Sequence, residues 1–226
     1  MSKHLQNDIE RLKKETLALG SMVIDSINKA VFALVDRRSE FIKSVIESDE
    51  QINEKEVLIE EDCLKMLALH QPVAGDLRFI IVILKVNNDL ERMADLAVNI
   101  AERANYLTKK DKLNVSLDFV LMTKCVQNMV QESLKALIEK DTAIARSVLK
   151  MDDEVDDLNR QMYEVLQKVM MEDASTVKRA VHMLSTSRHL ERIADLATNI
   201  AEDVVFMVDG ELIRHRTEDY LEASSD

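Results

Sequence analysis

Residues 90–102 read LERMADLAVNIAE, and residues 190–202 read LERIADLATNIAE. Eleven of these thirteen positions are identical at an offset of 100. In the preceding segments, 77–89 and 177–189, only Leu84 and Leu184 match, and in the following segments, 103–109 and 203–209, nothing does. Packing asks only for apolar character at inward positions and lets Leu, Ile and Met interchange. It does not ask for the same Glu, Arg, Asp and Asn twice. The block therefore marks both a two-copy architecture and a surface held for a reason other than packing.

The apolar residues of the first block, Leu90, Met93, Ala94, Ala97, Ile100 and Ala101, recur at helical spacing. Working outward, a weaker echo appears at an offset of 103. Ser44–Val45 matches Ser147–Val148, and Asp49-x-x-Ile52-Asn53 resembles Asp152-x-x-Val155-Asp156. The three-residue change falls in the connection that holds Gln71–Pro72–Val73 in one copy. The spacing predicts helices over about 3–36, 39–70, 72–108, 116–139, 142–171 and 175–207. Ser39 and Ser175 are candidate caps and Pro72 a first-turn residue. Leu5, Ile9, Leu12, Leu19, Val23, Ile27 and Val31 would face inward from the first helix. Ile42, Val45, Ile46, Ile52, Val57, Leu64 and Leu67 would do so from the second. Lys109–Ser116 reads as the connector between halves and Glu211–Asp226 as a polar, fraying tail. The expected fold is all-α: six long antiparallel helices in two tandem, pseudo-symmetric three-helix bundles, 1–110 and 111–226.

Composition agrees. Three Gly, one Pro, no Trp and 4% aromatics suit helices and not hairpin-rich sheets. A net charge of −12 lacks the basic footprint of a nucleic-acid binder and disfavours direct contact with anionic membrane. The longest run of purely aliphatic or aromatic residues, Phe79–Leu84, is too short to cross a bilayer, so a soluble protein is expected, with no membrane insertion. Cys63 and Cys125 read as buried free thiols in a reducing cytoplasm. The twelve Met residues read as core fill, and the Ala triplets Ala94, Ala97, Ala101 and Ala194, Ala197, Ala201 as packing seams.

Glu91, Asp95 and Asn99 sit at i, i+4 and i+8, within an arc of about 80° over roughly 12 Å. Glu191, Asp195 and Asn199 repeat them, and Glu102 and Glu202 fall in the same arcs. The stripes lie nearly opposite the apolar positions, so they belong to the polar face. Glu and Asp at i, i+4 repel by about 0.2–0.5 kcal/mol. A cation reverses that cost, and these oxygen donors suit hard ions such as Mg²⁺, Ca²⁺, Mn²⁺ or ferric iron. A solvated acidic face, or an epitope for a basic helix, is the alternative. Arg92 and Arg192, beside the stripes, are expected to pair with a neighbouring helix. There is no Gly-rich phosphate loop, no CxxC, no G-x-S-x-G and no Glu-x-x-His pair, and no enzyme is expected. A carboxylate-ligated metal enzyme and a purely structural scaffold are the competing readings.

The repeated E-R-x-A-D-L-A-x-N-I-A-E, the Gln71–Arg78 stretch and the closing Gly210–His215 together resemble the PhoU family, over essentially the whole chain. The resemblance implies a cytoplasmic homodimer, peripheral at the inner face of the membrane through protein partners. Those partners would be a phosphate ABC transporter and a sensor histidine kinase with its response regulator. It implies restraint of phosphate uptake and of the starvation response. It also implies a multinuclear metal cluster, iron first, on Glu91, Asp95, Asn99, Glu191, Asp195 and Asn199. The second copy has Met171–Arg179 where the first has Gln71–Arg78, so any role of Asp76 or Arg78 is not duplicated.

Overall fold

A computed structural model describes residues 3–210. The helices are α1 (Lys3–Val35), α2 (Ser39–His70), α3 (Ala74–Thr108), α4 (Phe119–Glu139), α5 (Thr142–Glu172) and α6 (Val177–Asp209). One short 3₁₀ turn, Ala174–Thr176, precedes α6. No strand occurs among the described residues, and the architecture is all-α as the spacing predicts. Helices α1, α2 and α3 pack on one another, and so do α4, α5 and α6. The two sets meet along α3–α6 and α1–α4. All six helices contribute to one large apolar core, in which the six Ala of the repeated blocks are wholly buried, and Leu113, Leu166 and Ala180 form a small second cluster.

Helix ends differ from expectation where capping chemistry decides them. Pro72 lies before α3, not in its first turn. Gln71 and Ala74 both adopt left-handed backbone (φ 45° and 48°), and the helix begins at Ala74, two residues beyond Pro72. Ser39 is the first residue of α2, and Arg38 occupies the cap position without a side-chain bond. Ser175 does not cap α6. Thr176 holds the cap position of α6 without a side-chain bond, and Asp173 caps the 3₁₀ turn ahead of it, accepting from the Ser175 amide and from its hydroxyl, both at 2.8 Å. Asp118 moves the start of α4 to Phe119 by accepting from the Leu121 amide. Asp141 caps α5 by accepting from the Ala143 and Ile144 amides. Gly210 ends α6 at φ 76°, where a Cβ would also meet the Arg78 guanidinium at 2.9 Å. The expected tail over 211–226, and all but Gly210 of the closing motif, lie outside the described residues.

The inward residues of α1 are all buried. In α2, Ile42, Val45, Ile52, Ile59, Cys63 and Met66 form the buried ridge. Ile46, Val57 and Leu64, expected inward, are about half exposed (50%, 51% and 53%). They sit roughly 100° or more around the helix from that ridge. With only α1 and α3 beside it, α2 buries a narrower stripe than the apolar count suggests. Among the described helices, α1 alone is long and apolar enough to pass for a membrane span, and half of that window is buried inside the protein. Cys63 is buried, its thiol pushed up to about 12 chiefly by burial. Cys125 is only partly buried. Six Met are buried, but Met171 is 81% exposed, so core fill describes only part of the set.

Helices α1 and α4 touch where Gly20 faces Leu134. A Cβ there would stand 2.3 Å from Leu134 Cδ1. Gly20→Val overpacks that contact and is expected to cost about 1–3 kcal/mol, seen as a lower urea midpoint with an unchanged slope. An unchanged midpoint would mean that the contact bears no load.

Candidate functional site

Helices α3 and α6 run antiparallel along their contact. Lys85 pairs with Asp203, Arg103 with Ser185, and Tyr106 stacks on His182. In each pair, the further the residue lies along α3, the earlier its partner lies on α6. The pairing centres on the middle of the two repeated blocks, so the seam has pseudo-twofold symmetry about the stripes.

That symmetry brings both stripes to one place. A cleft of about 440 Å³ is lined by Arg92, Asp95, Leu96 and Asn99 of α3 and by Arg192, Asp195, Leu196 and Asn199 of α6. Asp95 and Asp195 are exposed, while Glu91, Asn99, Glu191 and Asn199 are half-buried, which places the stripes on the polar face as the spacing predicts. Asn99 is turned back on its own helix, its amide donating to the Asp95 carbonyl at 2.9 Å. Arg92 lies 3.8 Å from Asp89 on its own helix, so the expected pairing with a neighbouring helix does not form there.

The outer carboxylates, Glu91 and Glu191, belong to a second arrangement. Burial first, then Asp95, Glu56 and Asp49, holds the Glu91 carboxyl above its ordinary range. Burial, Asp195 and Asp156 do the same to Glu191. On α2, Asp49 is raised by burial and by Asp95, and Glu56 by burial and Glu60. On α5, burial with Asp156, Asp195, Asp153 and Glu191 raises Asp152 to about 6. Asp195 is raised by burial and Asp156. The stripes are thus half of two acidic clusters, each spanning two helices.

Sequence reasoning missed the α2 and α5 contributions, although the offset-103 echo around Asp49 and Asp152 was their signal. Under that offset Asn53 corresponds to Asp156, and Glu56 to Asn159. One cluster therefore has Asp49, Glu56, Glu91 and Asp95 with Asn53, and the other has Asp152, Asp156, Glu191 and Asp195 with Asn159. The amide changes position, yet each cluster keeps four carboxylates. The floors differ in matching fashion. Asn87 donates to the Glu56 backbone and side chain at 2.9 and 3.1 Å, and Ser187 donates to Asn159.

The donor set fits a hard cation. It consists of carboxylate and amide oxygens, burial and then mutual repulsion raise several of the acids, and Asp49 Oδ1 is buried with no hydrogen-bond partner. Among the described residues no three acids, imidazoles or thiols already stand close enough to hold an ion. The fit is one of donor chemistry and charge, and the side chains must turn toward an ion to grip it.

A family model described as "PhoU domain" matches residues 16–104 and again 119–204. The chain is similar to the "Phosphate-specific transport system accessory protein PhoU homolog" of Aquifex aeolicus, with 40% identity covering 94% of this chain and 96% of the relative. The like-named protein of Pseudomonas aeruginosa is 38% identical, covering 95% of this chain and 89% of that one. Two solved structures share the fold. The crystal structure of PhoU from Pseudomonas aeruginosa superposes with a TM-score of 0.87 at 38% identity, covering 91% of this chain and 99% of that chain. The phosphate transport system regulatory protein PhoU from Streptococcus pneumoniae superposes with a TM-score of 0.83 at 30% identity, covering 92% and 98%.

The raised acids carry a signed consequence for stability. The folded Asp152 carboxyl titrates at about 6 against an ordinary 3.8, so its charge opposes folding above that window. Asp152→Asn should therefore raise the melting temperature of metal-free protein by roughly a few degrees at pH 7.5. The gain should shrink as pH falls from 6 toward the ordinary 3.8, and vanish below it, where folded and unfolded carboxyls are both protonated. Equal gains at both pH values would rule out charge as the cause.

Proposed function

The chain belongs to the PhoU family, and on that footing we propose that it is a negative regulator of phosphate uptake and of the phosphate-starvation response. It has a role in regulating phosphate transport, and it is not an enzyme, its relatives being named accessory and regulatory proteins. It acts as a cytoplasmic adaptor between a phosphate ABC transporter and a sensor histidine kinase with its response regulator. It works as a homodimer, held at the inner face of the membrane by its partners. The observation that carries the reading is the near full-length likeness to accessory proteins of phosphate-specific transport, at 40% identity in one case.

In this reading Glu91, Asp95 and Asn99, with Glu191, Asp195 and Asn199, hold metal. Asp49 and Glu56 join them on one side, and Asp152 and Asp156 on the other. Iron is the first candidate by family resemblance, with Mg²⁺, Mn²⁺ or Ca²⁺ as alternatives of the same donor chemistry. A bound cation supplies positive charge that cancels the repulsion within each cluster. It thereby ties α2 to α3 and α5 to α6. The chain's own part is to present the carboxylates on a rigid helical pair and to leave their outer side open to a partner.

Deleting the gene in its host should derepress phosphate-starvation genes in phosphate-rich medium. If expression stays phosphate-regulated as before, the adaptor role fails. Independently, elemental analysis of natively purified protein should find metal that the Glu91→Gln/Asp95→Asn variant largely loses. A wild type that takes up no metal on titration would remove the metal part and leave the stripes as a partner epitope.

A further inference from the structure

The two ends of the α3–α6 seam are related by the offset of 100, yet their charges are not. At one end Lys85 Nζ donates to Asp203 Oδ1 at 2.9 Å and lies 5.6 Å from the centre of the Phe206 ring. Asp203 and Asp89 are both buried there, and Arg92 lies near Asp89. At the other end the corresponding positions are Ser185 for Lys85, Arg103 for Asp203, His189 for Asp89, Tyr106 for Phe206 and His182 for Val82. Both carboxylates have gone, and a guanidinium and two imidazoles have arrived.

This second end is short of acceptors. Arg103 Nε donates to Ser185 Oγ at a long 3.4 Å, and Ser185 Oγ lies 3.2 Å from His189 Nε2. The acid paired with Arg103 is Glu102, its chain neighbour, at 4.0 Å. Arg188 and Arg192 also bear on the His189 ring; the Glu191 carboxylate feels both, yet among the described residues neither makes an ion pair within 4.0 Å. The Nδ1 atoms of His182 and His189 are buried without hydrogen-bond partners. Such a concentration of donors stands out in a chain of net charge −12. Ser185 also lines a groove of about 680 Å³ between α5 and α6, with Arg188 and Glu191 further along α6 and Asp156, Arg160 and Tyr163 contributed by α5. A small solute therefore has a route to it.

We propose that this end of the seam binds a free tetrahedral oxyanion, inorganic phosphate, in the place that Asp203 fills at the other end. Arg103 and Arg188 supply charge-assisted donors, the Ser185 hydroxyl a third hydrogen bond, and His189 a wall with a spare ring nitrogen. The oxyanion chemistry follows from the donors alone. The choice of phosphate over other oxyanions rests on the regulatory reading above. The site needs no metal and shares no side chain with the stripes.

The test uses the full chain, freed of metal by chelation and titrated with inorganic phosphate. Calorimetry and backbone amide NMR follow binding. Saturable binding near or below about 1 mM is expected, with shifts at Ser185 and His189. Arg103→Gln and the exposed Arg188→Gln should each weaken it about tenfold or more. Lys43→Gln, on the exposed side of α2, should leave it unchanged. Should Arg103→Gln fail to fold, Arg188→Gln and Ser185→Ala decide. Binding that never saturates, that ignores these variants or that is as tight for sulfate overturns the proposal. Should it fail while gene deletion still derepresses the starvation genes, the regulatory reading stands and this site alone is lost.

Discussion

The acidic surface of this protein depends on two long helices lying antiparallel. Taken singly, α3 and α6 each carry an ordinary acidic face. Packed as they are, the middles of the two repeated blocks meet, and Asp95, Asn99, Asp195 and Asn199 come to line one cleft with Arg92 and Arg192. The wholly buried Ala of each block keep the helices slim, so the bundles close tightly behind that surface. The third sides of the bundles, α2 and α5, then bring their own acids against Glu91 and Glu191. The acidic surface is thus a product of helix packing, and no loop contributes to it.

Concentrating eight carboxylates in this way works against folding, since burial and like charge both favour the neutral acid. The chain tolerates this in two copies while letting an amide trade places with an acid, Asn53 with Asp156 and Glu56 with Asn159. A constraint on each individual position would have fixed the amide. What persists is the charge of each cluster, and an electrostatic task depends on charge more than on the exact identity of each donor. The apolar core, continuous through both bundles, offsets the repulsion and holds the acids in place.

Much of the fold was legible because helical spacing is a strong signal over thirty residues. The ends of α2 were right to the residue, and the ends of α1 and α5 lay within one. The errors arose where a short-range rule met a local competitor. Ser175 falls inside a 3₁₀ turn ahead of α6, because the Asp173 carboxylate caps that turn and accepts both the amide and the hydroxyl of Ser175. Pro72 lost its helical place because left-handed residues on both sides of it make a turn. In the site, the stripes were legible from identity between copies. Their partners on α2 and α5 were not, because Asn53 and Asp156 differ in type and only the structure shows that their helices share a face with the stripes. The junction of the two stripes was invisible for a simpler reason: nothing in a repeat says how its copies pair.

The pseudo-twofold seam has the form of an isologous interface, the kind by which two identical subunits associate. In a true homodimer every substitution appears on both sides at once, so Lys85 facing Asp203 would be present twice or not at all. Fused in a single polypeptide, the two ends are released from that bookkeeping. One holds an internal ion pair, while the other has Arg103 in the place of the acid and Ser185 in the place of the lysine. Broken symmetry of this kind lets a scaffold of equal halves acquire a direction, with one end electrostatically closed and the other open to a negatively charged visitor.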